Sequence, residues 1–348
     1  MKIQDIKELT LDDFLSWIYE HGLESYRAIQ IFKWIYVRQA DTFDVMTDLS
    51  KNARTLLKKH FTINRLKTAR VETSKDGTRK YLFRLYDGNH IETVLIPEEN
   101  HYTLCISSQV GCAQGCRFCM TAKNGFARNL TGGEIIAQVR DIKKELHNPD
   151  KLTNIVFMGM GEPLANYENV IKAINIITDN NFGLKFSPRK VTVSTAGFVP
   201  KLNGLSRDTK VNLAISLNAS ENITRSMLMP INRTFPIEML LEQCAKYNMS
   251  PGRRITFEYI LIKGVNDSKN DAKRLASLLK PARSKINLIP FNENSASEFK
   301  RPDQNTIHDF QKILLENNYV TIIRNSKGED ISAACGQLSS RHITSFYN

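Results

Sequence analysis

Cys112, Cys116 and Cys119 stand in the run Gly111-Cys112-Ala113-Gln114-Gly115-Cys116-Arg117-Phe118-Cys119. The spacing is C-x3-C-x2-C: three thiols in one tight loop, with no fourth cysteine close behind. Three thiolates hold three corners of a cubic iron–sulfur cluster, and such clusters are normally held by four. A [4Fe-4S] cluster bound in this way keeps one iron open for a group that is not protein. The other reading is a structural zinc, in which three clustered cysteines recruit a distant fourth ligand. Structural zinc usually brings paired Cys or His knuckles, and the chain has no second knuckle. The colour of the purified protein separates the two, because a zinc protein is colourless.

A reactive loop needs a scaffold, and the chain has length for one. At 348 residues it exceeds one average domain, so a large domain plus a small accessory one is expected. A hydrophobic content of 41% and a charged content of 24% are those of an ordinary globular protein. No apolar run is long enough to cross a bilayer, and Met1-Lys2-Ile3-Gln4-Asp5 has no apolar signal core. The expectation is a cytoplasmic protein without membrane partners. Six cysteines in a reducing compartment read as ligands or catalysts, not as a disulfide framework. The net charge of +12 favours an anionic partner such as nucleic acid, although many proteins are mildly basic without one. Between Cys105 and Gly133 the chain carries Arg117, Lys123 and Arg128 and no carboxylate, which suits a polyanion approaching the cysteine loop.

The first part of the chain has helical periodicity. Apolar residues recur at helical spacing over 11–18 and 26–35, and Ser50 stands as an N-cap before an amphipathic stretch at 51–60. The period then changes. Residues 80–86 and 90–96 read as strands, with turn signals at Asp76-Gly77 and Asp87-Gly88. Residues 1–95 are expected to form a helical accessory module closed by an antiparallel hairpin. The remainder, 96–348, alternates strand and helix. Apolar strands are expected at 104–107, 155–158, 191–194, 213–217, 255–261 and 286–289, with helices at 134–146, 170–178, 238–247 and 271–279. Six such alternations predict an α/β fold: a parallel sheet with right-handed crossovers, of the size of a partial (β/α)6 barrel open on one side. Chemistry in such barrels sits beyond the C-terminal ends of the strands, and the cysteine loop follows the first of them.

Other strand ends converge on the same mouth. Gly159-Met160-Gly161-Glu162-Pro163 follows the second strand, Ser194 ends the third, Ser216-Leu217-Asn218 the fourth and Pro290-Phe291-Asn292 the sixth. Polar strand ends are common, so each alone is a weak signal. Together they describe a polar cofactor pocket. Gly161 lets backbone approach a ligand amino group and Glu162 can accept from that cation, while Ser194, Ser216 and Asn292 are suited to a carboxylate, a ribose and an adenine. Taken from its residues alone, Cys105 reads as a buried strand cysteine, Cys244 as helix core and Glu92 as a solvated strand carboxylate.

The cysteine loop, the Gly159–Pro163 segment and Asp330-Ile331-Ser332-Ala333-Ala334-Cys335-Gly336-Gln337-Leu338 together resemble the RlmN family. Its members are radical-SAM adenine C2-methyltransferases of 23S ribosomal RNA and transfer RNA. The resemblance covers nearly the whole chain, including Arg27-Ala28-Ile29-Gln30-Ile31. Phe118 resembles the aromatic that packs beside the cofactor's adenine in radical-SAM loops. The sister family, Cfr, methylates the same ribosomal adenine at C8 and typically has Ala where this chain has Pro163. Members often carry His after Ser-Leu where this chain has Asn218. Asn hydrogen-bonds but takes no proton in the physiological range, which leaves a binding role and removes a proton-transfer one.

The resemblance implies a mechanism. One S-adenosylmethionine methylates Cys335; a second binds the open iron and is cleaved reductively to a 5′-deoxyadenosyl radical that takes hydrogen from the new methyl group. The carbon radical adds to adenine C2 and tethers the RNA. Glu92 accepts the C2 proton, and the Cys105 thiolate attacks the Cys335 sulfur, leaving a Cys105–Cys335 disulfide and the methylated base. Gly161, Glu162, Ser194, Ser216, Leu217, Asn218 and Asn292 would hold S-adenosylmethionine, and Cys112, Cys116 and Cys119 the cluster. A flavodoxin or ferredoxin would supply electrons, and the protein would act as a monomer. From a different class, a non-catalytic RNA-binding protein stabilised by a cluster or zinc would share the cysteine loop but has no use for Cys105 and Cys335.

Overall fold

A computed structural model describes residues 3–293 and 297–339. The chain opens on strand β1 (Gln4–Asp5), then helices α1 (Leu11–Glu20), α2 (Tyr26–Phe32) and α3 (Lys51–His60), and closes this helical module with β2 (Phe61–Thr62), parallel to β1. Thr10 and Asp13 form a reciprocal capping box on α1, and the Ser50 hydroxyl accepts from Ala53 N–H at the start of α3. Those side chains satisfy helix-end donors that would otherwise have no partner.

Strands β3 (Lys67–Thr73), β4 (Arg79–Arg84) and β5 (His90–Pro97) follow as an antiparallel meander. The sequence reading closed the accessory module with this hairpin. In the structure it belongs to the core instead, because β5 pairs antiparallel with β6 (Tyr102–Cys105) and carries the meander onto the main sheet. A short hairpin, β7 (Gln109–Gly111) and β8 (Phe126–Asn129), flanks the cysteine loop and the short helix α4 (Met120–Lys123).

From β6 onward the strands run parallel: β9 (Leu152–Phe157), β10 (Val191–Thr195), β11 (Asn212–Ser216), β12 (Ile255–Leu261), β13 (Ser284–Pro290) and β14 (Thr321–Ile323). Crossovers carry α5 (Gly132–Glu145), α6 (Tyr167–Thr178), α7 (Leu202–Asp208), α8 (Asn222–Leu228), α9 (Ile237–Lys246), α10 (Lys269–Leu278) and α11 (Gln304–Glu316). The ten-stranded order is β14-β13-β12-β11-β10-β9-β6-β5-β4-β3, so neighbours in the chain are neighbours in the sheet. Parallel strands covered by helices read as continuous apolar runs, which is why β6 and β9 to β13 were visible in the sequence. At three residues, β14 is too short to show such a run.

The helical module is fastened by one buried arginine. Arg140 on α5 is fully buried; it donates to the carbonyls of Ile35 and Ala40 and pairs with Asp41 and Asp141. Among the described residues no helix is long and apolar enough to cross a membrane.

Candidate active site

The cysteine loop is shaped by its glycines. Gly111, at the end of β7, has φ +75°, and a Cβ there would lie 1.9 Å from the Gly125 carbonyl oxygen. Only glycine permits this approach. It brings Cys112 N–H to that same carbonyl at 2.8 Å and turns the chain into the loop. Cys119 N–H donates to the Cys116 carbonyl at 3.1 Å, and Arg117 N–H to Leu228 at the end of α8. Cys112 and Cys116 are buried and Cys119 is half-buried.

Burial is the main force on these thiols: it pushes Cys112 up to about 12 and Cys116 well above the ordinary thiol range, and the neighbouring thiols add to the effect. The three sulfurs therefore lie within electrostatic reach of one another. The donor set of the loop is all thiolate and one short of four, which fits a [4Fe-4S] cluster that keeps one iron open.

The C-terminal segment is a strap laid over this loop. Met120 N–H, next to Cys119, donates to the Gly336 carbonyl at 2.7 Å. The Thr121 hydroxyl donates to the Leu338 carbonyl at 2.8 Å, and Asn292 Nδ2 reaches the Cys335 carbonyl at 3.4 Å. Cys335 is thus held at the mouth beside the cysteine loop. Cys335 is itself exposed there, and Glu258 and Cys119 lie within electrostatic reach of its thiol. Cys105, buried at the end of β6, is raised by burial first and then by Cys335. The two thiols, 230 places apart in the chain, lie within electrostatic reach of each other.

Glu92 is not the solvated strand carboxylate that its residues alone suggested. It is 3% exposed on β5. Its Oε2 accepts from Ser339 N–H at 2.5 Å, and its Oε1 lies 3.5 Å from Lys80 Nζ. Burial outweighs Lys80 and lifts its carboxyl to about 7. Its backbone carbonyl accepts from the Ser107 hydroxyl, which in turn accepts from Met160 N–H, so Glu92 is tied to the Gly159–Pro163 turn.

That turn also depends on glycine: Gly161 has φ +103°, and a Cβ there would strike Gln109 at 2.5 Å. Glu162 is buried, and its carboxylate accepts from Leu164 and Ala196 N–H groups, with lone pairs remaining for a ligand cation. Ser194 and Ser216 both donate to Glu258 Oε2, at 2.7 and 3.2 Å. Leu217 is wholly buried, with its N–H donating to the Glu258 carbonyl and its carbonyl accepting from Arg225, so its part is in the scaffold. Asn218 adopts φ +57°, a left-handed conformation that Asn tolerates. Its side chain is committed to the scaffold: Oδ1 accepts from Ile260 N–H, and Nδ2 points at the Met229 sulfur. Asn292 faces the Cys335 strap and Ser326.

Three residues here escaped the sequence reading. Glu258 interrupts the apolar run Ile255–Leu261, and a lone carboxylate in such a run was a signal that could have been used. Lys80 looked like any strand lysine. Arg225 on α8 is fully buried; its guanidinium donates to the carbonyls of Ala196, Ser216 and Leu217 and to Asn232 Oδ1, so it ties the ends of β10 and β11 together. The cationic stretch from Cys105 to Gly133 is corrected by the structure. Arg117 pairs with Glu298, and Arg128 bridges Asp87 and Glu134, so carboxylates from elsewhere offset these two arginines.

Residues 106–276 match the radical SAM superfamily, and residues 4–63 match the ribosomal RNA large subunit methyltransferase N-terminal domain. A protein of Desulfosudis oleivorans named dual-specificity RNA methyltransferase RlmN is 58% identical over 336 residues, covering 97% of this chain and 91% of that one. Its namesake in Geobacter sulfurreducens is 50% identical over 337 residues, covering 97% and 92%. The crystal structure of a radical SAM methyltransferase from Sphaerobacter thermophilus matches with a TM-score of 0.91 at 44% identity, covering 97% of this chain and 99% of that one.

Proposed function

This chain belongs to the RlmN family of the radical SAM superfamily, and from that premise we propose that it methylates C2 of an adenosine in 23S ribosomal RNA and in transfer RNA. The observation that carries the reading is the Gly336–Met120 hydrogen bond, which seats a lone C-terminal cysteine beside the three-cysteine loop with a second thiol, Cys105, in electrostatic reach.

Adenine C2 lies between two ring nitrogens and is electron-poor, so it makes a poor nucleophile toward a sulfonium methyl. A radical route avoids that barrier. Cys112, Cys116 and Cys119 would hold a [4Fe-4S] cluster whose open iron, when loaded, supplies an electron for homolytic cleavage of S-adenosylmethionine. The protein's own groups do the rest. Glu162, with the Gly161 backbone beside it, holds the cofactor's ammonium; Ser194 and Ser216, whose hydroxyls donate to Glu258, accept from its ribose hydroxyls. Cys335 carries the methyl group to be transferred. Glu92, buried and with its carboxyl near neutral pH, receives the C2 proton. The adduct would also return one electron, to the cluster that would have supplied it; the Cys105 thiolate then attacks the Cys335 sulfur, the S–S bond forms, the bond from that sulfur to the transferred methylene breaks, and the methylene keeps the electron pair and takes up a proton to become the methyl group.

Two S-adenosylmethionine molecules are consumed per turnover, one as methyl donor and one as radical source. The reductant is a flavodoxin or ferredoxin, and the enzyme works as a monomer in the cytoplasm. The helical module holds the RNA, with the adenine unstacked so that C2 is reachable.

Anaerobic reconstitution followed by mass spectrometry of bulk RNA tests this, with adenosine deuterated at C2 or C8 in the substrate. Loss of the C2 deuterium with a new methyl group is the expected result. Loss from C8 would assign the sister chemistry. Absence of iron, or of 5′-deoxyadenosine under reducing conditions, would overturn the proposal.

A further inference from the structure

Two ties cross from the antiparallel strands to the C-terminal strap, one on each side of Cys335. On the upstream side, Lys80 on β4, only 5% exposed, donates from Nζ to the Ile331 carbonyl at 2.7 Å. On the downstream side, Ser339 N–H donates to Glu92 Oε2 at 2.5 Å. The two holders are themselves paired, since Lys80 Nζ lies 3.5 Å from Glu92 Oε1. Strand register explains the pairing. Leu82 stands opposite Glu92 and Lys80 opposite Val94, so Lys80 and Glu92 are diagonal neighbours on one face of the sheet.

The remaining ties of the strap do not involve Glu92. Asp76 accepts from Gly328 N–H and Asp330 accepts from Lys75 N–H near its start, and Thr121 and Asn124 hold Leu338 and Ser339 from the cysteine-loop side. One contact on the strap therefore involves the group that receives the substrate proton. The charged and titratable groups facing Glu92 are Lys80 and Glu72, the latter 3.1 Å from Lys80 Nζ.

We propose that Lys80 is a positioning residue for methyl transfer, and that the Lys80–Glu92 pair is a charge-operated clasp on the Cys335 strap, tight while Glu92 is ionised and slack once Glu92 has taken a proton. This rests on the reading of Glu92 as proton acceptor and Cys335 as methyl carrier. An N–H···carboxylate bond is roughly twice as strong as its neutral counterpart. When the C2–H bond breaks, its proton goes to a Glu92 oxygen, its electron pair restores the ring, and the adduct's one surplus electron would pass to the oxidised iron–sulfur cluster. The Ser339 bond then weakens, and Lys80 loses one of its two anionic neighbours. The strap is rigid while the methyl carbon must be aimed at the adenine. It loosens only after the proton has left, at the step where Cys105 must reach the Cys335 sulfur. Burial, which holds the Glu92 carboxyl near 7, lets either charge state be occupied at neutral pH.

Hydrogen exchange read by mass spectrometry on the full-length protein tests this without RNA. Glu92→Gln keeps the shape and removes the charge. At pH 8 the strap, residues 328–339, should exchange roughly five- to tenfold faster in Glu92→Gln than in the wild type, as expected for losing a charge-assisted bond. After correction for the intrinsic pH dependence, the wild type should pass to the faster behaviour as pH falls from 8 to 6, and Glu92→Gln should show no such step. Lys80→Met should loosen the strap, and Lys80→Arg should restore part of the protection. A merely structural lysine would give the Lys80→Met effect without the wild-type pH step. Equal strap protection in wild type and Glu92→Gln at pH 8, or a wild type with no pH step, overturns the clasp. Loss of methyl transfer in Glu92→Gln with unchanged exchange sinks the clasp and leaves the proton-acceptor reading standing. Faster exchange with methyl transfer intact removes the proton-acceptor reading instead.

Discussion

The Met120 backbone donates to the Gly336 carbonyl at 2.7 Å, joining the residue after the third cysteine of the loop to the residue after Cys335. Gly336 can accept that bond because it adopts φ +81°, with the Phe118 carbonyl 3.3 Å from where a Cβ would stand. Gly336→Ala should therefore strain the strap by about 1–2 kcal/mol. Its expected phenotype is normal iron content, since the cysteine loop is untouched, with methyl transfer reduced at least tenfold. A variant with wild-type turnover would show that the strap needs no such seat.

The two thiols outside the loop have separable failures. Cys335→Ala should bind iron and produce 5′-deoxyadenosine weakly, yet transfer no methyl group. Cys105→Ala should stall after the covalent tether has formed. A protein–RNA adduct on a denaturing gel is the expected species, and a Cys105→Ala protein that releases methylated RNA at the wild-type rate would remove Cys105 from the reaction.

Glu92 ties pH to activity and stability in opposite directions. Burial lifts its carboxyl from 4.5 to about 7 in the folded protein. Between those values the folded state binds the proton that the unfolded state has lost, so the contribution of Glu92 to stability falls as pH rises from about 4.5 to 7 and levels off above. The total loss is of order 3 kcal/mol at most. Activity needs the ionised base and should rise through the same region, flattening near pH 8. Glu92→Gln should abolish turnover while keeping methylation of Cys335, and its thermal midpoint should lack the wild-type decline between pH 5 and 7. A rate profile flat from pH 6 to 8 would contradict the assignment.

Arg225 is fully buried with no carboxylate partner among the described residues, and its donors are spent on carbonyl and amide oxygens. Arg225→Met would leave the Ala196, Ser216 and Leu217 carbonyls short of a donor, costing about 3 kcal/mol or more. Urea unfolding should show a lower midpoint with an unchanged slope. Arg225→Lys keeps the charge but not the planar fork, so it should recover only part of the loss. Equal stability of all three proteins would mean that other groups already satisfy these strand ends.

What the chain revealed on its own was local. The cysteine loop was legible because its three thiols lie within eight consecutive residues and spacing decides what they can hold. Strands β6 and β9 to β13 were legible because burial on both faces demands unbroken apolar runs. Ser50 and Cys244 were likewise decided by their immediate neighbours. Tertiary structure alone decided the rest, since those properties depend on which distant group comes to lie alongside. Glu92 became a buried carboxylate because Ser339, 247 positions away, closes over it. Lys80 became a holder because Ile331, 251 positions away, lies above it. Arg117 and Arg128 in the positive run are offset by Glu298, Asp87 and Glu134. The antiparallel strands joined the core because β5 found an edge at β6, and period-two alternation specifies a strand's faces but not its neighbour. A lone charged residue reads the same on a surface and in a site; only the fold supplies the dielectric and the partner that set its role.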